Sequence, residues 1–196
     1  NANENNGIAM GSSSLANQTN SIALGSTANS AALNAIAIGS SSKSVSQNGI
    51  SLGVSSRTSQ INGIAIGANS ETVQVNGIAI GANTVSSAIN SIVMGANANS
   101  TAQNAIAIGQ ASNATQTNSI AVGGLSSAPR ANAIAIGQAS LANESNSISI
   151  GQASNANSTN AIALGHGTLA NQSNSIAIGA AANAANVSSV AIGAGA

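Results

Sequence analysis

Glycine recurs every fourteen residues from Gly11 to Gly193, fourteen times and without a slip. No other feature constrains the fold as tightly. Each glycine closes the same hexapeptide: Asn, a tiny residue, an aliphatic, usually Ala, a second aliphatic, Gly. Asn34, Ala35, Ile36, Ala37, Ile38 and Gly39 make a typical copy. Asn opens thirteen of the fourteen copies, and Ser188 opens the other. A strict short period means one structural unit stacked on itself, each unit touching only its neighbours. The chain is expected to be a single domain, residues 1–196, of fourteen laps. Asn1 already lies inside a repeat, so the chain reads as a segment of a longer one.

Composition agrees with a thin solenoid. The chain of 196 residues has three basic and three acidic residues, no aromatic and no cysteine. A globular enzyme of this size normally carries about a quarter of its residues as charges. Richness in Asn and Ser at low charge suggests disorder, but the unbroken aliphatic columns argue for packing. Zero net charge, with no basic stripe and no stacking aromatics, gives no reason to expect nucleic acid. The absence of cysteine rules out a disulfide framework. No apolar run is long enough to span a bilayer as a helix.

The two aliphatics of each hexapeptide stand two residues apart, which is strand periodicity. β-Branched Ile dominates both columns, as suits a pleated, packed surface. A second alternation follows each glycine. The third and fifth residues onward are always small, as at Ser14 and Ala16 or Thr84 and Ser86, while the fourth varies freely. Two strands of about five residues and two tight turns would use up one lap. The predicted architecture is therefore all-β, a two-sheet parallel roll, with glycine supplying a turn conformation costly to other residues. The Asn column is expected to bond nearby backbone or to ladder with the Asn one lap away. Sheets normally pack about 10 Å apart, a gap that large aliphatics from one strand and small residues from the other would fill. The Ile columns are thus expected inside. That leaves Ala9, Ala23, Ala37, Ala65, Ala79, Ala107 and Ala135 as a flat outer stripe. So thin a roll buries little area alone, and self-association along this alanine stripe is expected to stabilise it.

Catalysis has little material. His166 is the only histidine, and Glu4, Glu71 and Glu144 are the only carboxylates, all in different laps. The chain lacks the aspartates of calcium-binding nonapeptide rolls. Its period is not a multiple of six, as hexapeptide helices require. No enzyme activity, cofactor or metal is expected.

The non-repeating columns carry what specificity there is. Lys43, Arg57 and Glu71 share one outward position in successive laps, and Arg130 and Glu144 share another. These are either exposed ladder ion pairs, worth less than about 1 kcal/mol each, or an attachment point for a charged receptor. Just before the Asn, Leu33, Ile61, Val75 and Ile89 interrupt a column that is otherwise mostly polar, and Val45, Val73 and Val85 lie nearby. A contiguous exposed apolar patch marks an interaction site; the alternative is that a neighbouring chain covers this corner. The candidate receptor surface comprises Lys43, Val45, Arg57, Ile61, Glu71, Val73, Val75, Val85 and Ile89. Pro129, which lacks a backbone donor, and Gly124 mark the most irregular lap, where a lost ladder bond and a local bulge are expected.

The hexapeptide resembles the repeat of YadA-like trimeric autotransporter adhesin heads, which reads Asn-Ser-Val-Ala-Ile-Gly. Asn174, Ser175, Ile176, Ala177, Ile178 and Gly179 come near it, as do Ser188, Ser189, Val190, Ala191, Ile192 and Gly193. The resemblance covers residues 6–193. It implies a left-handed parallel β-roll packed side by side as a homotrimer, with the alanine stripe as candidate trimer interface. It also implies display from the outer membrane on a bacterial surface, above a stalk and membrane anchor that are absent here. Heads of this family bind host extracellular matrix or cell-surface receptor proteins. The expected function is a non-enzymatic adhesin head. The alternative is a structural spacer or self-associating module that drives autoaggregation and biofilm formation. An ice-binding solenoid would need a regular outward Thr column, which this chain lacks.

Overall fold

A fourteen-residue lap must reverse direction twice, and the chain does so in two equivalent four-residue turns. In the computed structural model, which describes residues 1–196, the Gly63 N–H donates to the Gln60 carbonyl at 3.2 Å. Across the intervening strand Ile64–Ile66, the Ser70 N–H donates to the Gly67 carbonyl at 3.3 Å. The return strand is Glu71–Thr72. Strands of three and two residues are shorter than expected, because the two turns take most of the lap.

The chain divides into two compact units, Asn1–Asn97 and Ala98–Ala196. In the first, seven three-residue strands from Ile8–Met10 to Ile92–Met94 form one parallel sheet. Six two-residue strands, from Leu15–Ala16 to Val85–Ser86, form the other. The second unit repeats the plan with strands from Ile106–Ile108 to Val190–Ile192 and from Asn99–Ser100 to Asn183–Ala184. Register is uniform: Ile64 pairs with Ile78, Ala65 with Ala79, and Ile66 with Ile80.

Each turn carries one residue in the left-handed region, such as Asn62 at φ 58° and Asn69 at φ 55°. Asn tolerates that region better than most residues, and its amide both donates and accepts. The Asn column uses both properties. From Asn6 to Asn76, each Nδ2 donates to the Oδ1 of the Asn one lap on at 3.0–3.1 Å. In the second unit the same ladder runs from Asn104 to Asn174.

The glycine column answers to a different demand. Gly53 has φ +132°, and a Cβ built on it would lie 2.5 Å from the Gly67 carbonyl oxygen. Gly137, at φ +127°, meets the Gly151 carbonyl in the same way. Successive laps therefore touch backbone to backbone at this corner, and no side chain fits between them.

The interior corrects one expectation. A β-turn holds its end Cα atoms within about 7 Å, so turns at both edges hold the sheets closer than the usual ~10 Å. That gap takes small side chains, and Val93 is the largest one wholly buried in it. Ala65 and Ala79 are wholly buried, as are Ser56, Thr58, Ser70 and Thr72. Ile64, Ile66, Ile78 and Ile80 alternate with these alanines and point the other way, half-buried on the outer face. The aliphatics expected inside are outside.

Many buried hydroxyls return to the backbone: Ser70 Oγ donates to the Gly67 carbonyl at 2.9 Å and Thr168 Oγ1 to the Gly165 carbonyl at 2.8 Å. Volumes are matched across the core. Threonine occupies the buried position of the return strand only at Thr58 and Thr72, and there the facing residues are Gly49 and Gly63. A methyl on Gly63 would collide with Thr72 Oγ1. At Pro129 the return strand Ser127–Ala128 keeps only the pair Ser127–Leu141 with the next lap. No residue is inserted there, since Ile120 and Ile134 stay in register, so the expected bulge does not form.

Two outcomes follow for thermal melts read by circular dichroism. Gly53→Ala should cost about 2–6 kcal/mol, combining overpacking with a strained φ. Gly167→Ala should cost less, about 1–2 kcal/mol, because that glycine has open space at φ +63° and Ala153 adopts the same conformation one lap earlier. Separately, Gly63→Ala should cost about 1–3 kcal/mol. Adding Thr72→Ala should recover most of it, since Ala133 and Ala142 already fill the equivalent space in another lap.

Candidate functional site

Three surfaces are open to a partner: the face of the three-residue strands, the face of the two-residue strands, and the corners between them. The first is a continuous double column of aliphatics. In the first unit it runs through Ile22, Ile36, Ile50, Ile64 and Ile78 beside Leu24, Ile38, Leu52, Ile66 and Ile80. Ile38 is 37% exposed and Ile136, in the second unit, 38%. A solvated apolar surface this regular is the mark of an interface.

The alanines expected to make that interface cannot do so. Ala23, Ala37, Ala65, Ala79, Ala107 and Ala135 are 0% exposed within a single chain, and Ala9 packs against Ala16, Ala23 and Ala28. They line the inside of the roll. Strand period is two, so reversing one column reverses the other, and the flanking aliphatics take the outer face.

The second face carries the charged candidates where the sequence places them. Lys43, Arg57, Glu71 and Val85 pair in register along one column. Arg57 Nε lies 3.8 Å from Glu71 Oε1, with the two side chains 55% and 37% exposed. So open a pair contributes less than about 1 kcal/mol. Lys43 forms no ion pair, leaving two cations side by side with one acid. Val45 is exposed, and Val73 partly so, in the column next to them. Arg130 and Glu144 make a similar exposed pair at 3.8 Å in the second unit.

Ile61, Val75 and Ile89 sit elsewhere, at the corner that leads into the Asn ladder. Ile61 is 45% and Ile89 44% exposed, and Leu33, beyond the intervening Gln47, is 40% exposed. The nine candidate receptor residues thus divide between a sheet face and an adjoining corner.

One surface feature has no sequence signal. Asn143 Nδ2 donates to both Asn155 Oδ1 and Asn157 Oδ1, Asn157 donates to Asn171, and Asn171 donates to Asn183. This amide network joins two columns of the outer sheet. Asn155 and Asn183 lie in the freely varying fourth column, where Asn alternates with Leu141 and Leu169. No three of His, Asp or Glu come together anywhere in the chain.

A sequence model of the YadA head domain repeat (2 copies) matches in nine stretches that run from residues 2–28 to 170–196. Among solved structures, the chain is similar to the collagen-binding domain of the Yersinia adhesin YadA at 30% identity and a TM-score of 0.52. That alignment covers 76% of this chain and 69% of the other. No curated protein sequence matches.

The reversal of the two columns has a direct check. Ile78→Lys should dissociate or strongly weaken the assembly in sedimentation velocity, because it places a charge in the aliphatic double column. Ala65→Ser should leave assembly intact and shift stability by less than about 1 kcal/mol, as Ser51 already occupies that buried column with its Oγ donating to the Lys43 carbonyl at 2.7 Å.

Proposed function

Because this chain belongs to the family of YadA head-domain repeats, we propose that it attaches a bacterial cell to a host protein through the outer sheet of its first unit. The parallel roll and its packing as a homotrimer go with the family, and so does an adhesin-type role. The attachment surface is the finer step. It comprises Lys43, Val45, Arg57, Glu71, Val73 and Val85, with the corner of Ile61, Val75 and Ile89 beside it. The partner is a host extracellular matrix or cell-surface protein, met by a head displayed from the outer membrane.

One observation carries this reading: Lys43 and Arg57 stand side by side, the second paired only loosely with Glu71, in a patch with exposed Val45 and half-buried Val73 and Val85. Elsewhere the outer columns hold mostly Asn, Ser and Ala, interrupted by single leucines. A mixed cationic and aliphatic surface suits a protein partner better than a sugar, since there is no aromatic ring to stack on a pyranose. The aliphatic double column supports the three-chain packing, because nothing within one chain covers it.

The test is a pull-down of matrix and epithelial receptor proteins with the purified assembly. Replacing Lys43, Val45, Arg57, Glu71, Val73 and Val85 by Ser should lower capture at least tenfold while the sedimenting mass stays the same. Unchanged capture removes this surface. A chain that binds no host protein yet clusters beads carrying it is a self-associating spacer.

A further inference from the structure

The two turns of each lap place one residue apiece at the outer corners that flank the aliphatic strand. For Ile64–Ile66 these are Ile61 at the Asn turn and Ala68 at the glycine turn. The characters of the two corners agree in most laps. In the first unit Ile61, Val75 and Ile89 share their laps with Ala68, Ala82 and Ala96, while Thr19 shares its lap with Ser26. In the second unit Gln103 goes with Gln110, Ser145 with Gln152, and Thr159 with His166. Four laps are mismatched: Leu33 with Ser40 and Gln47 with Val54 at the margin of the apolar run, and Ala131 with Gln138 and Ser173 with Ala180 in the second unit.

Within one chain the two corners never meet, since they stand at opposite ends of the strand. No intramolecular contact accounts for their agreement. A closed ring of three supplies one. Its interfaces are heterologous, joining one side of each protomer to the opposite side of the next. With the aliphatic columns turned toward the axis, the Asn corner of one copy lies beside the glycine corner of its neighbour.

We infer that Ile61, Val75 and Ile89 of one protomer seat against the small Ala68, Ala82 and Ala96 corner of a second copy, closing a seam at the rim of the aliphatic interface. The inference rests on the three-chain packing of the proposed function. It assigns the corner residues to assembly and leaves Lys43, Val45, Arg57, Glu71, Val73 and Val85 as the surface open to a receptor. Large side chains on one corner against alanine on the other give the close fit that packed interfaces need. Polar corners elsewhere would pair through hydrogen bonds and water.

Disulfide trapping tests the seam, as the natural chain has no cysteine. Val75→Cys is combined in turn with Ala68→Cys, Ala82→Cys and Ala96→Cys, a set that spans the rise of one lap in either direction. A disulfide requires Cα atoms within about 7 Å. At least one combination should turn most of the oxidised protein into covalent trimers on a denaturing gel, while each single variant runs as monomer. All three combinations remaining monomeric on the gel, with native mass spectrometry still showing trimers, overturns the seam alone. A natural chain that is monomeric in native mass spectrometry overturns the three-chain packing beneath it.

Discussion

Everything in this fold depends on how near one lap lies to the next and one sheet to the other. At the glycine corner the approach is backbone to backbone, with no room for a Cβ. Across the roll, two four-residue turns hold the sheets closer than an ordinary sandwich, and the groups between them are mostly methyl and hydroxymethyl, with a few threonines and Val93. The inside is therefore alanine, serine, threonine and glycine, with Val93 the one larger side chain. A core of such side chains buries little apolar area, and each buried methylene-sized group contributes only about 0.8 kcal/mol.

The weakness of that interior explains the exterior. The large aliphatics have no place inside and form a solvated double column on one face. A chain of this design gains hydrophobic stabilisation by covering the column with copies of itself, so folding and assembly are coupled. The backbone ladder and the Asn ladder then keep successive laps in register, while association supplies the apolar burial that the single roll lacks.

Such an assembly divides its surface by role. The face of the three-residue strands is held to a narrow set of aliphatics. The return strands meet the core only through their small residues, and their outward columns range from Lys43 to Leu169 at little cost to the fold. Specificity can vary there because nothing structural restrains it. The corners lie between the two regimes, polar in some laps and apolar in others, with the two ends of the strand agreeing in most laps.

The period, the parallel stacking, the Asn ladder and the outward column of Lys43, Arg57 and Glu71 were all legible in the residues, because each depends only on position within the lap. The left-handed position after each glycine was not, since Ser, Thr, Asn, Ala and even Leu125 occupy it and none announces a positive φ. The side on which the aliphatics lie was also beyond the sequence. Alternation by two states that Ile36 and Ala37 face opposite ways, and says nothing about which way is in. That was decided by the gap between the sheets, a tertiary quantity set by the two turns. Once the gap is too narrow for isoleucine, Ala37 goes inside, Ile36 goes outside, and the interface changes faces.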